Sequence, residues 1–139
     1  MGAVDHALSY AAGIVHFGSD PALADCVASL LAQTRPPLHV VVIDHDPADQ
    51  PDAQRAVVQA RFREVEWIHA ENGGYSAGAN RVIECAIARW PQVDFVLVLN
   101  PDVVLDRDHA AAALAELAGR PEVALASGKL LRPGGERID

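Results

Sequence analysis

Lysine, cysteine and aromatic residues are scarce in this sequence. Lys129 is its one lysine, and 19 acidic residues against 11 basic ones give a formal net charge of −8. Nucleic acids and anionic membrane surfaces require clustered Lys and Arg to neutralise their phosphates, whereas the arginines here are scattered along the chain. The composition therefore argues against both classes of partner.

Two cysteines occur, Cys26 and Cys85, and each falls in a segment with the apolar spacing of an amphipathic helix. We interpret them as small buried side chains in a reducing compartment, with a disulfide or a metal-ligating pair as the alternatives. No run reaches the roughly 18 apolar residues of a membrane span, and residues 1–9 lack the apolar core of a signal peptide. We therefore expect a soluble, cytoplasmic protein without a transmembrane segment.

Strand and helix signals alternate along the 139 residues, of which 50% are hydrophobic. The predicted strands are residues 11–17, 39–43, 65–70, 95–99 and 123–127, and the predicted helices are residues 21–33, 53–61, 77–90 and 108–118. Continuous apolar strands are typical of a parallel sheet that is buried on both faces. The alternation predicts one α/β domain over residues 10–132, a three-layer α/β/α fold with a mainly parallel, Rossmann-like sheet, between tails at residues 1–9 and 133–139.

Polar residues end two of the buried strands. The strand over residues 95–99 stops at Asn100-Pro101-Asp102, where Pro101 has no amide hydrogen to give to a sheet, so the chain leaves the sheet there. Asp44 ends the second strand in a similar way. Open α/β sheets bind ligands at the carboxyl ends of their strands, so Asp44 and Asp102 are candidate ligand-binding groups. A turn or helix-capping role is the alternative, chiefly for Asp44.

Other familiar motifs are absent or differ in spacing. Gly73-Gly74-Tyr75-Ser76-Ala77-Gly78 follows the third strand and lacks the spacing of the dinucleotide-binding fingerprint. We interpret residues 71–76 as a loop, with Ser76 as the cap of the next helix. The histidines are dispersed, and none pairs with a cysteine at the spacing of metal ligands, which disfavours a zinc site. Neither a dinucleotide site nor a P-loop is expected.

Two segments together resemble a known family. Glu71-Asn72-Gly73-Gly74-Tyr75-Ser76-Ala77-Gly78-Ala79-Asn80 is followed, after an apolar strand, by Asn100-Pro101-Asp102-Val103. In this order, and with Asp44 after the second strand, they resemble the family 2 glycosyltransferases of the GT-A fold, particularly the rhamnosyltransferase-like branch. There Asn-Pro-Asp takes the place of the usual Asp-x-Asp motif. The resemblance covers residues 13–133.

The resemblance implies a glycosyltransferase that uses a nucleotide diphosphate-sugar donor and inverts the anomeric carbon. A diphosphate would be repelled by an acidic site, so a divalent cation, Mg²⁺ or Mn²⁺, is implied as cofactor with Asp102 as its ligand. The implied acceptor is a glycan or a lipid-linked molecule, and the implied location is cytoplasmic or peripheral at the inner membrane face. The implied donor-binding residues are His16, Phe17, Asp44, Asn72, Gly73, Gly74, Asn80, Arg81 and Asn100.

The sequence departs from the family pattern at three places. Gly18 and Pro47 stand where the family often has Asn and Ser. The family's general base is usually an Asp or Glu in a second, acceptor-binding half, and here only Glu136 and Asp139 follow the last predicted strand as acids. We therefore expect this chain to be the amino-terminal, donor-binding part, with the acceptor half absent and no catalytic base identified. An uncovered apolar surface would favour a homodimer.

Three other functions stay open. A sugar nucleotidyltransferase shares the general fold, but its first loop would be rich in glycine and carry Arg or Lys, where this chain has Gly18-Ser19-Asp20-Pro21. A non-catalytic nucleotide-sugar-binding or assembly module fits a chain that lacks an acceptor half. A flavodoxin-like domain is the third alternative.

Overall fold

The computed structural model of the chain describes residues 7–18, 21–47, 49, 53–132 and 134–135. Strands and helices alternate in the order β1 (Tyr10–His16), α1 (Leu23–Leu31), β2 (His39–Asp44), α2 (Ala53–Arg61), β3 (Val65–His69), α3 (Tyr75–Arg89), β4 (Phe95–Leu99) and α4 (His109–Gly119). The four described strands form a parallel sheet in the order β3-β2-β1-β4. The predicted α/β fold with a mainly parallel sheet is confirmed.

Apolar side chains cover both faces of the sheet. Tyr10, Ala12 and Ile14 of β1 lie in a cluster with buried residues of α1, α2 and α4. Ala11 and Val15, which point to the opposite face, lie in a second cluster with buried residues of α3. A strand that is covered on both faces needs apolar residues at every position, which explains the continuous apolar runs in the sequence.

The direction of strand addition reverses once. β1, β2 and β3 follow one another towards one edge, and α3 then returns the chain to β4 on the other side of β1. In an open α/β sheet the carboxyl ends of the strands at such a reversal form a crevice, because the loops there diverge to opposite faces. The fold therefore predicts a ligand site beyond the ends of β1 and β4.

The predicted strand over residues 123–127 is wrong. These residues lie beside β4 and α4 but join no strand pairing, and Leu125 is 87% exposed. Their apolar composition suits a strand, but a strand also needs a neighbouring backbone in register, which composition does not supply. The other predicted strands and helices are present, with ends that move by no more than two residues.

Helix α3 begins at Tyr75, before the predicted start at residue 77, so the cap predicted at Ser76 is also wrong. The N-cap is Gly74, whose φ of 88° lies in the left-handed region that favours glycine. The chain can turn sharply from the end of β3 into α3 for this reason. Tyr75 and Ser76 consequently belong to the first turn of the helix.

The predicted tails lie largely outside the described residues, and so do Glu136 and Asp139. Ser9, the last residue of the predicted first tail, donates hydrogen bonds from its amide and its hydroxyl to Oδ2 of Asp94, at 2.7 and 3.0 Å. Among the described residues, no helix has the length and apolar character needed to cross a membrane. The limits of the domain stay a prediction.

Gly13 sets how closely α3 packs on β1. A Cβ at this position would lie 2.1 Å from Cγ1 of Val82, a buried β-branched residue with little rotamer freedom in a helix. We expect Gly13→Ala to lower the free energy of unfolding by about 1–3 kcal/mol, as overpacking of a filled core does. Urea denaturation followed by circular dichroism measures this change.

Gly119→Ala is the matched control, because a Cβ at the end of α4 meets nothing within 4 Å. This variant should be about as stable as the parent chain or up to about 1 kcal/mol more stable. Similar losses in the free energy of unfolding for Gly13→Ala and Gly119→Ala would show that close packing at Gly13 is not the cause.

Candidate functional site

An open cleft of about 600 Å³ lies beyond the carboxyl ends of the strands. Its lining comes from Val15 of β1 and from the segments that follow the four strands. The residues are Val15, Phe17, His45, Asn72, Gly74, Tyr75, Asn100, Pro101 and Asp102. The cleft therefore lies where the reversal of strand order predicts a ligand site.

The cleft brings together several of the donor-binding residues implied by the sequence. Phe17, Asn72, Gly74 and Asn100 line it, as does the implied metal ligand Asp102. These residues lie far apart in the chain and meet only because the parallel strands end at one edge of the sheet. Asp102 is exposed, so its carboxylate is accessible to a ligand.

Other predicted residues lie outside the cleft lining. Gly73, Asn80 and Arg81 are exposed, and Arg81 pairs with Glu84 on the surface of α3 at 3.4 Å. His16 and Asp44 are buried next to the cleft, on the face of the sheet that carries α2. Contacts of these residues with a ligand stay predictions.

The cleft also contains His45 and Tyr75, which sequence analysis did not select. His45 directly follows Asp44, so in a strand continued by one residue its side chain points to the opposite face, towards α3. Tyr75 lies within the glycine-rich segment that carries the family resemblance and is 52% exposed. Alternation along β2 could have suggested His45; the position of Tyr75 depends on where α3 begins.

His45 is held in one orientation. Its Nδ1 lies 3.0 Å from the carbonyl oxygen of Ala70, which can only accept, so Nδ1 carries the hydrogen. Its Nε2 is buried and has no hydrogen-bond partner among the described residues. A Cβ on Gly78 would lie 2.7 Å from this Nε2, so the absence of a side chain at Gly78 leaves room for the imidazole.

A buried polar cluster lies beside the cleft and is formed by His16, Asp44 and Asp46. Nε2 of His16 lies 3.6 Å from Oδ2 of Asp46, and Nη1 of Arg55 lies 3.5 Å from Oδ2 of Asp44. The amide of Asp46 donates to Oδ1 of Asp44 at 3.0 Å. Two buried carboxylates would be costly without such partners. Arg55, which also lies over the ring of Trp67, supplies a compensating charge.

Two groups of side chains could hold a divalent cation. One ligand atom from each of His16, Asp44 and Asp46 lies within 4.8 Å of the others, but Arg55 already places a positive charge against this cluster. Asp102 is exposed and lines the cleft, as does Asn100. Mg²⁺ keeps several waters and takes one or two carboxylates together with substrate phosphates. The donor set at Asp102 fits that chemistry better than the buried cluster does.

The Arg55–Asp44 pair should contribute to stability. Arg55→Met removes the positive charge but keeps most of the apolar stem, and it leaves the buried Asp44 carboxylate without that charge. We expect a loss of about 1–3 kcal/mol in the free energy of unfolding, less than for a fully buried pair because Arg55 is partly exposed. Thermal and urea unfolding measure the loss.

Arg120→Met is the control, because Arg120 is exposed and pairs with the exposed Glu116 and Glu122 at 4.0 and 3.5 Å. Arg120→Met should lower the free energy of unfolding by less than about 1 kcal/mol. An equally small effect of Arg55→Met would show that Asp44 does not depend on Arg55.

Comparison with known proteins identifies a family and similar folds. A family model described as "Glycosyl transferase family 2" matches residues 11–138. No curated protein sequence matches the chain. The crystal structure of S. aureus TarS 1–349 superposes with a TM-score of 0.60 at 20% identity, over 82% of this chain and 33% of that one. The structure of TarS 1–349 in complex with UDP-GlcNAc gives a TM-score of 0.60 at 20% identity, over 82% of this chain and 32% of that one.

A second protein has a related fold. The structure of 4-diphosphocytidyl-2C-methyl-D-erythritol synthase matches with a TM-score of 0.52 at 19% identity, over 95% of this chain and 68% of that one. At such identities the likeness shows a shared fold. The chain spans about a third of the length of the TarS 1–349 structures it matches.

Proposed function

This chain belongs to glycosyl transferase family 2, and we propose that its cleft binds the nucleotide diphosphate-sugar donor of a glycosyl transfer reaction. The main support for the proposal is that one cleft, at the reversal of strand order, is lined by Asn72, Gly74, Asn100 and Asp102. S. aureus TarS, which has the same fold, has been crystallised with UDP and with UDP-GlcNAc.

The start of α3 is suited to the donor's diphosphate. Asn72 Oδ1 accepts a hydrogen bond from the amide of Gly74 at 3.0 Å, which fixes the turn before the helix. Both residues, with Tyr75, line the cleft, so the amino-terminal end of a helix of 15 residues borders it. The free amides and the positive end of the helix dipole favour an anion there.

Asp102 is suited to hold a divalent cation against that diphosphate. It lies in the segment after β4, the strand that pairs with β1, and it lines the cleft. When bound, Mg²⁺ or Mn²⁺ supplies positive charge to the departing diphosphate. The amide of Asn100 offers a neutral oxygen ligand or a hydrogen bond to the donor beside the metal.

Phe17 and Tyr75 give the cleft aromatic surface for the rest of the donor. Phe17 is 63% exposed and Tyr75 is 52% exposed, so both rings are accessible in the cleft lining. Exposed aromatic rings offer flat apolar faces on which a nucleobase can stack. We assign Phe17 to the nucleobase. The buried Asp44 and His16 would then lie next to the nucleobase end of the donor.

The chain supplies the leaving-group side of the proposed reaction. Asp102 is the carboxylate that lines the described cleft, and we assign it to the metal. An inverting transfer also requires a base that deprotonates the acceptor hydroxyl, for which we assign no residue of this chain. The proposed acceptor is a glycan or a lipid-linked molecule, and membership of the rhamnosyltransferase-like branch stays a prediction.

A nucleotidyltransferase-like activity is the second candidate, because a synthase of that general fold matches 95% of this chain. Such a reaction needs positive charge close to a triphosphate, whereas Gly18-Ser19-Asp20-Pro21 carries no Arg or Lys. Incubation with a nucleoside triphosphate and a sugar phosphate, followed by assay for pyrophosphate, distinguishes the two. Pyrophosphate release would favour this second candidate.

Binding of the nucleotide should require the metal and Asp102. Titration calorimetry with UDP, GDP, CDP and dTDP should show binding of at least one of them in Mg²⁺ or Mn²⁺ and little binding in excess chelator. Asp102→Asn, which keeps the size of the side chain but removes its charge, should weaken that binding by about tenfold or more, equivalent to about 1.4 kcal/mol.

Asp25→Asn is the control, because Asp25 is exposed on α1, outside the cleft. It should leave the affinity unchanged. Equal binding with and without chelator would refute the metal role, and failure of all four nucleotides to bind would refute the donor site.

A further inference from the structure

We propose that Asp46 is a positioning residue that holds Phe17 in the cleft. This inference rests on the proposed function, since it concerns the part of the cleft that we assign to the nucleobase. Asp46 does not line the cleft and is 7% exposed, whereas Phe17 lines it and is 63% exposed. Asp46 would therefore act on the ligand through Phe17.

The carboxylate of Asp46 contacts the residues on both sides of Phe17. Its Oδ1 accepts a hydrogen bond from the amide of Gly18 at 2.7 Å. Its Oδ2 lies 3.6 Å from Nε2 of His16, a fully buried side chain. One side chain thus fixes the backbone just after Phe17 and contacts the side chain just before it.

Phe17 needs this support because the sheet no longer holds it. The pairing of β1 with β2 ends at His16 and Asp44, so Phe17 is the first residue beyond the strand. Gly18 has a φ of 77°, which turns the chain away from the strand direction. The side chain of Phe17 is mostly exposed, so packing does little to fix it, and its direction depends on how its backbone is held.

Asp46 is itself well anchored. Its amide donates to Oδ1 of Asp44 at 3.0 Å, and Oδ2 of Asp44 lies 3.5 Å from Arg55. The backbone also joins the two loops, since the amide of His45 donates to the carbonyl oxygen of His16 at 2.9 Å. The contacts run from α2 through the end of β2 to the turn after β1. Because Asp46 is anchored in this way, it can fix the position of Phe17.

The proposal concerns a ligand with a planar ring. A nucleobase stacks on an aromatic side chain through its flat face, and such stacking needs a ring that is already oriented. If Asp46 is lost, the ring at position 17 should sample more orientations and bind the base less well. Loss of Asp46 should therefore lower the affinity for the nucleotide and raise the mobility of the Phe17 ring.

Fluorine NMR can observe Phe17 separately from the rest of the chain. The sequence has 3 phenylalanines, Phe17, Phe62 and Phe95, so labelling with 4-fluorophenylalanine gives three signals. Phe17→Leu identifies the first of them. We expect UDP with Mg²⁺ to shift the Phe17 signal, and Asp46→Ala to shift and narrow it without ligand, with the Phe62 and Phe95 signals unchanged.

Affinity for UDP with Mg²⁺, measured by calorimetry, should fall by about tenfold in Asp46→Ala, the lower part of the range expected for loss of one stacking contact. Asp46→Asn keeps an oxygen that can accept from Gly18, and should show a smaller loss and a Phe17 signal closer to that of the parent chain. Asp49→Ala, at an exposed position in the same loop, is the control and should change neither measurement.

Three results would overturn the proposal. The first is an unchanged Phe17 signal in Asp46→Ala, and the second is a displaced Phe17 signal with unchanged affinity. The third is a change of all three signals in both Asp46→Ala and Asp46→Asn, which would assign Asp46 to folding in general. If UDP does not bind to the parent chain, the affinity is measured with whichever of GDP, CDP and dTDP binds. If none of the four nucleotides binds but Asp46→Ala selectively alters the Phe17 signal, the proposed donor site fails and the link between Asp46 and Phe17 stands.

Discussion

The register of the parallel sheet decides which residues meet at the cleft. His16 of β1 pairs with Asp44 of β2, and Asp44 pairs with His69 of β3, so the three strands end at one level. Leu99 of β4 pairs two residues earlier, with Ile14, so the segment from Asn100 to Asp102 begins beside the end of β1. A shift of one residue in any pairing would move these side chains to the other face of the sheet. The site therefore depends on this register.

Acidic residues near the cleft occupy two different environments. Asp44 and Asp46 are buried beside Arg55 and His16, where their charges join the ends of β1 and β2 to α2. Asp102 is exposed in the cleft, where a carboxylate can gain a metal and a phosphate as partners. The same residue type thus stabilises the loops in one place and is available to a ligand in the other. Burial and the neighbouring cation distinguish the two roles.

Much of the fold and part of the site could be predicted from the sequence. Apolar runs that end at Asp44 and Asn100 predict both the strands and the edge of the sheet at which these strands end. The contact between Asp46 and Gly18 could not be predicted, because it joins loops that are 28 residues apart in the chain. The start of α3 at Tyr75 depends on the positive φ of Gly74, which composition does not reveal. Residues 123–127 have the composition of a strand but lack the paired neighbour that a strand requires.

We propose that Asp102 holds a divalent cation against the diphosphate of a nucleotide bound in the cleft. Crystals grown with UDP and Mn²⁺ test it most directly, because anomalous scattering locates the manganese without reference to the assumed site. We expect an anomalous peak at the Asp102 carboxylate, with the diphosphate near the start of α3. A peak among His16, Asp44 and Asp46 instead, or an ordered UDP in the cleft with no metal at Asp102, would contradict it.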